Sequence, residues 1–336
     1  MSEKSSNGAK LRRMRFAAVG LVALGCLAAV FVVFTSDRTT ARAGMSSLRL
    51  EDIPFDGARA YQYLKQICAI GRRPSGSPGM EAQQKLLVEH FTRLGAKVRL
   101  QRFRARHPGD GSEVPMANLI VQWHPESKDR VLICTHYDTL PYPLEDRRNR
   151  RGVFVGANDG ASGVALLMAL GHDMPALRTS YGVDFVFFDG EEFIFRTDDP
   201  YFLGAEFFAT TYAKEPPPYR YRWGVLLDMI GDADLQIYQE YNSTWWLDTR
   251  PLVEEIWATA RRLGVREFIR KSKHNVRDDH LPLHDIGKIP TCDVIDFDYP
   301  AWHTQGDTPE RCSALSLAKV GWVVREWLAT TRPAER

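Results

Sequence analysis

A chain of 336 residues with 44% apolar content is long enough for one well-buried α/β domain or at most two, and one is expected. The net charge of +2 is unevenly placed: residues 1–43 carry seven Lys and Arg against two acids, which leaves −3 for the remainder. A mildly acidic body without a basic stripe gives no support for nucleic-acid binding.

The first element is Phe16–Phe34, a charge-free apolar run of nineteen residues. As a helix it spans roughly 28 Å, enough to cross a hydrocarbon core of about 30 Å. Lys10, Arg12, Arg13 and Arg15 precede it. Positive charge on that side keeps residues 1–15 in the cytoplasm and exports the rest of the chain, to a periplasmic or extracellular location. The nearest small-x-small site, Ala41-Arg42-Ala43, lies well past the run, which favours an uncleaved signal-anchor over a cleaved signal peptide. Residues 35–50 are small and polar and read as a tether, and the folded body is expected over 51–336.

Within that body ARAYQYLKQICAIG and GMEAQQKLLVEHFTRLG have helical apolar spacing and end in glycine, as a left-handed cap requires. VRLQRFR and NLIVQW read as strands joined by the turn-rich HPGDGSEVP. SGVALLMALGHDM, VEEIWATARRLG and LSLAKVGWVVREWLATT read as helices. Alternation of this kind predicts a single three-layer α/β/α domain around a mixed, mostly parallel twisted sheet.

Chemistry gathers where apolar runs stop. The stretch Val183–Phe188, apolar in its last four residues, ends at Asp189, Gly190, Glu191 and Glu192. VLICTHYD places His136 and Asp138 at another strand end, GVLLDMIGD places Asp228, and CDVIDFDYPAWHT leads into His303. Asp159, in GANDGASG, sits on a turn into a helix. In open α/β sheets ligands bind beyond the carboxyl ends of the strands, and His, Asp and Glu are the ligands zinc takes in catalytic sites. Residues i and i+2 of a strand share a face, so His136 and Asp138 can enter one cavity together. A silent scaffold domain has no physical reason to keep mutually repelling carboxylates together, since without a metal to offset them they are costly.

HYD, GANDGASG, FFDGEE, LLDMIG, DDHLP and WHTQGDT, in this order from about Phe55 to about Leu328, resemble the zinc aminopeptidase and glutaminyl cyclase superfamily. The resemblance leans toward the cyclases, through the long insert Phe193–Leu203, the pair Trp302-His303, RRPSGSPGMEAQQ and STWWLDTRPLVEEI. It implies that Asp159, Glu192 and His303 hold a catalytic zinc, that Glu191 is the general base and acid, that Asp228 and Asp279 line the pocket, and that Trp302 forms an aromatic wall. A cyclase would hold one zinc and close the N-terminal glutamine of a peptide or protein to pyroglutamate with release of ammonia. An aminopeptidase would hold two, with His136 and Asp228 on the second and Asp159 bridging, and would hydrolyse the first peptide bond. Peptide N-termini are the expected substrate in both cases, and no oligomeric state follows from the sequence.

Of the five cysteines, Cys26 belongs to the membrane run. Cys134 and Cys292 fall inside strands and are expected as buried thiols, while Cys312 is the best placed to form a disulfide. His280, beside Asp279, is expected at the pocket rim and not as a ligand.

Overall fold

The computed structural model describes residues 45–333, so the expected anchor Phe16–Phe34 lies outside the described residues. Helix α1 (Gly57–Ala69) starts where the Asp56 carboxylate accepts the Arg59 amide, and it buries Ala60, Leu64 and Ile67 at helical spacing. Ser77 caps α2 (Pro78–Arg93), which has Pro78 in its first turn where the missing N–H costs nothing. Both helices are followed by a glycine in the left-handed region, Gly71 and Gly95.

Strands β1 (Lys97–Arg106) and β2 (Glu113–Trp123) form an antiparallel hairpin in unbroken register, Lys97 opposite Gln122 and Arg106 opposite Glu113. Next come β3 (Asp129–His136), helix α3 (Ala161–Leu170), β4 (Gly182–Phe188), α4 (Leu203–Lys214) and β5 (Arg220–Asp228). A short two-stranded sheet of β6 (Ile237–Gln239) and β7 (Phe268–Ser272) brackets α5 (Tyr241–Trp245) and α6 (Arg250–Arg262). The chain ends with α7 (His280–Asp285), β8 (Thr291–Ile295) and α8 (Ala314–Thr330). From Ser47 onward these elements make one compact unit.

The main sheet has the order β1-β2-β4-β3-β5-β8, with β1, β2 and β4 paired antiparallel and β4, β3, β5 and β8 paired parallel. Successive residues face opposite layers, which accounts for the two large cores. Leu119, Val121, Val131, Ile133, Phe185 and Phe187 pack with α1, α2, α3 and α8, while Ile120, Leu132, Val186 and Phe188 pack with α4. Every residue of α3 is buried, and its Gly163 lies so close to the sheet that an added Cβ would come within 2.7 Å of the Leu227 carbonyl oxygen.

The strand Val183–Phe188 carries a buried charge at Asp184, held by Arg130 at 2.5 Å and by the Tyr221 hydroxyl at 2.5 Å, so a central strand accommodates an ion pair. One expectation is corrected. Cys312 is a free, buried thiol like Cys68, Cys134 and Cys292, because it packs into the main core and bridges the backbone of Asp232.

Candidate active site

Parallel pairing brings the carboxyl ends of β3, β4, β5 and β8 to one edge of the sheet, and the site is built there. His136 closes β3 and Asp228 closes β5. Glu191 and Glu192 come just after β4, and His303 lies on the loop between β8 and α8. Asp159 stands just ahead of α3. Met229, Phe202 and His303, all at or beside the site, have positive φ of 46°, 62° and 54°. Such backbone is unfavourable for side chains of this size and is held by its surroundings.

Two donor trios share Asp159. His136, Asp159 and Asp228 form one, and Asp159, Glu192 and His303 the other; within each the ligand atoms lie within 4.8 Å of one another, and all five residues are buried. His136 Nε2 is 3.2 Å from both Asp159 Oδ1 and Asp228 Oδ1. His303 Nε2 is 3.3 Å from Glu192 Oε2 and 3.5 Å from Asp159 Oδ2. Asp159 Oδ2 and Glu192 Oε2 are buried with no hydrogen-bond partner among the described residues. Buried carboxylate oxygens without partners are costly, and facing an imidazole nitrogen at this spacing they have the chemistry and closeness of a zinc-binding set.

A second tier holds these ligands in place. Asp138 accepts the amides of Glu191 at 3.1 Å and Glu192 at 3.2 Å, which fixes the strand-end pair, and the Leu140 amide donates to Glu192 Oε1 at 2.7 Å, leaving Oε2 toward His303. Asp307 accepts the amides of Asn158 and Asp159 and the Tyr299 hydroxyl. Asp189 accepts from the Ser75 hydroxyl and the Ala117 amide, tying β4 to the antiparallel edge. Ligand orientation by outer partners of this kind is general in metal sites.

Burial dominates the electrostatics. It pushes the Asp307 carboxyl up to about 7, with the Asp159 charge adding to the effect, and the Asp189 carboxyl up to about 7, with Asp138 adding. Glu191 is raised well above the usual range by burial, and the charges of Asp278 and Asp279 push the same way. His303 is lowered by burial and is therefore neutral at pH 7, the form that donates to a metal. For His136 burial works downward, but hydrogen bonds to Asp138, Asp159 and Asp228 outweigh it and raise the imidazole well above its ordinary value.

The trios open into a cavity of about 290 Å³ whose walls include Glu191, Asp228, Tyr201, Phe297 and Trp302. The Trp302 ring stacks on His303 with centroids 4.0 Å apart. Glu191 is thus within the cavity, beside the trios, with its side chain 12% exposed. The insert Phe193–Leu203 is both a structured loop and a wall. Asp199 accepts the amides of Phe195 and Arg196, Phe193 and Ile194 are buried, and Thr197, Tyr201 and Phe202 face the cavity.

Asp279 is fully buried with both carboxylate oxygens unpartnered among the described residues, and it does not line this cavity; its neighbour Asp278 does. Asp278 escapes a sequence reading because adjacent residues ahead of a helix point in different directions, although the doubled Asp in DDHLP marks the place. His280 is also fully buried, Nε2 3.5 Å from Glu240 and Nδ1 3.8 Å from Asp293, and lies behind the pocket and not at its rim. The supporting carboxylates Asp189 and Asp307 also escape a sequence reading, since only the fold brings their distant amide partners to them.

A mixed sheet whose parallel strand ends present two trios joined at one aspartate defines a zinc-exopeptidase-like α/β protein. The chain belongs to peptidase family M28, whose profile matches residues 118–328. It is 26% identical to a glutaminyl-peptide cyclotransferase from Bos taurus over 76% of this chain and 77% of that protein. Among solved structures it resembles a Fimbriiglobus ruber glutaminyl cyclase, with TM-score 0.80 and 40% identity over 83% of this chain and 96% of that one. A Zn-dependent exopeptidase from Parabacteroides distasonis is similar at TM-score 0.77 and 30% identity, covering 82% and 99%.

Proposed function

We propose that this protein is a zinc-dependent glutaminyl-peptide cyclotransferase that converts the N-terminal glutamine of peptides to pyroglutamate and releases ammonia. The observation that carries the reading is the small walled cavity, with Trp302, the insert residue Tyr201 and Glu191 in its walls beside the Asp159–Glu192–His303 trio. The 40% identity to a glutaminyl cyclase supports it. Asp159, Glu192 and His303 would hold the zinc, which when bound supplies Lewis acidity toward the γ-amide carbonyl.

The protein's own part is positioning and proton transfer. In a cavity of this size a terminal glutamine folds back on itself, so that its α-amine meets its own γ-carbon, and fixing that geometry supplies much of the rate. Asp228 and Asp278, both lining the cavity, hold the neutral α-amine by accepting its N–H groups. Glu191 takes one proton from the attacking amine and returns it to the amide nitrogen, so that the new C–N bond forms as ammonia departs. Trp302 and Tyr201 shield the pair from water.

The His136–Asp159–Asp228 trio favours a second reading, a two-zinc aminopeptidase. In the proposed cyclase, one zinc sits in the Asp159–Glu192–His303 trio. His136→Ala then leaves about one zinc per chain, as in the parent, when metal content is measured alongside ammonia release from a glutaminyl peptide. A parent with two zincs, one lost in the variant together with peptide hydrolysis, would instead establish the aminopeptidase.

We also place residues 16–34 as a signal-anchor, with 1–15 cytoplasmic, 35–50 a tether and the catalytic domain from 51 extracytoplasmic, supported by the nineteen-residue charge-free run and the basic residues before it. Among the described residues no helix is long and apolar enough to cross a membrane, so the anchor rests on that run and the basic residues before it. The full-length protein is expected to stay with membranes through an alkaline carbonate wash, and complete release would count against the anchor.

A further inference from the structure

The cavity is lined by Asp159, Glu191, Asp228 and Asp278, and among the described residues Arg277 is its only Lys or Arg. Its side chain is exposed and its guanidinium lies 5.8 Å from the centre of the Tyr201 ring. Among the described residues it makes no ion pair. Its backbone is nevertheless fixed. The neighbouring Val276 is buried, donates its amide to Glu240 Oε1 at 3.2 Å and accepts from Asn242 Nδ2 at 3.4 Å, and Asp278 on the other side is buried too. Arg277 is therefore a held, unpaired cation at the mouth, one residue outward from the acidic wall.

A peptide chain advances roughly 3.5 Å per residue when extended. With the first residue seated among the acidic groups, the residue after it passes the mouth, where Arg277 stands. An acidic group there would face the acidic side chains lining the cavity, and a guanidinium is the side chain suited to favour it, through paired charge-assisted hydrogen bonds to a carboxylate. Deepening the cyclase reading, on which it rests, we propose that Arg277 selects substrates that carry a carboxylate on the residue after the terminal glutamine, either as an acidic side chain or as the free C-terminus of a dipeptide.

The test compares kcat/KM of the full-length protein on the amides of Gln-Ala, Gln-Glu and Gln-Lys and on Gln-Ala with a free C-terminus. The parent is expected to favour the carboxylate-bearing peptides over the Gln-Ala amide by about tenfold or more, the effect of one charged hydrogen-bonded contact. The Gln-Glu amide and free Gln-Ala tell the side-chain source from the terminal one. Arg277→Ala should bring the ratio to about one, and Arg277→Glu should invert it in favour of the Gln-Lys amide. An unchanged ratio in both variants overturns the inference, and so does an equal loss on all four peptides, which would assign Arg277 to a backbone carbonyl. If the parent cyclises none of the four, the cyclase reading itself falls and the inference with it.

Discussion

Glu191→Gln is expected to bind zinc as the parent does and to turn over at least about a hundredfold more slowly, the scale of a lost general acid–base group. The change keeps the shape of the side chain and removes only its ability to carry a proton. Glu191 suits that role on three counts. It is mostly buried beside the trios, its carboxyl is raised by burial well above the ordinary carboxylate range, and Asp138 fixes its backbone amide at 3.1 Å. A carboxyl at this place can both accept and return a proton, which the cyclisation requires of one group. Glu192, one residue on, turns its Oε2 to His303, so in the proposed mechanism the two carboxylates would divide the work of proton carrier and ligand. Zinc content by mass spectrometry and kcat by ammonia release check both halves. A variant with near-normal kcat would refute the role.

Removal of zinc by a chelator is expected to lower the melting temperature by at least about 5 °C at neutral pH and to steepen its dependence on pH. The sign comes from the raised carboxyls. Glu192 is lifted well above the ordinary carboxylate range by burial, with the Asp159 charge acting the same way, and Asp307 is pushed up to about 7. An acid whose folded-state pKa is raised contributes stability that is fully present below its unfolded value of about 4 and is lost as the pH rises through the folded value. The chelated protein should therefore lose stability from about pH 4 to about pH 7, while a bound cation offsets the charge of the ligands and flattens the curve. Asp296, pushed up to about 8 by burial and apart from both trios, should weaken loaded and stripped protein alike, so the difference between the two curves reports the metal shell. Superimposable melting curves with and without chelator would contradict this assignment.

These effects trace back to features of unequal visibility in the chain. The four strand ends are legible because an apolar run must stop where it meets ionisable residues, and parallel pairing then collects those stops at one edge of the sheet. The helices are legible from apolar spacing and caps, as Asp56 and Ser77 show. Less visible is which of two neighbours faces inward. Asp278 lines the cavity while Asp279 packs behind it, because the chain there is turning into α7 and each residue rotates away from the last. The buried pair Arg130–Asp184 joins residues 54 positions apart, so no local pattern announces it. The same holds for Asp189 and Asp307, whose partners Ala117 and Asn158 come from distant strands and loops. Cys312 reads as a candidate for a disulfide only until the core closes around it.

The central claim is cyclisation of an N-terminal glutamine at a zinc centre, and one mass spectrum addresses it most directly. The full-length protein is incubated with Gln-Phe-Ala, with and without a zinc chelator, and the products are weighed. The account predicts an intact peptide lighter by one ammonia, formed only without the chelator. Release of free glutamine and Phe-Ala in its place would contradict it and identify an aminopeptidase.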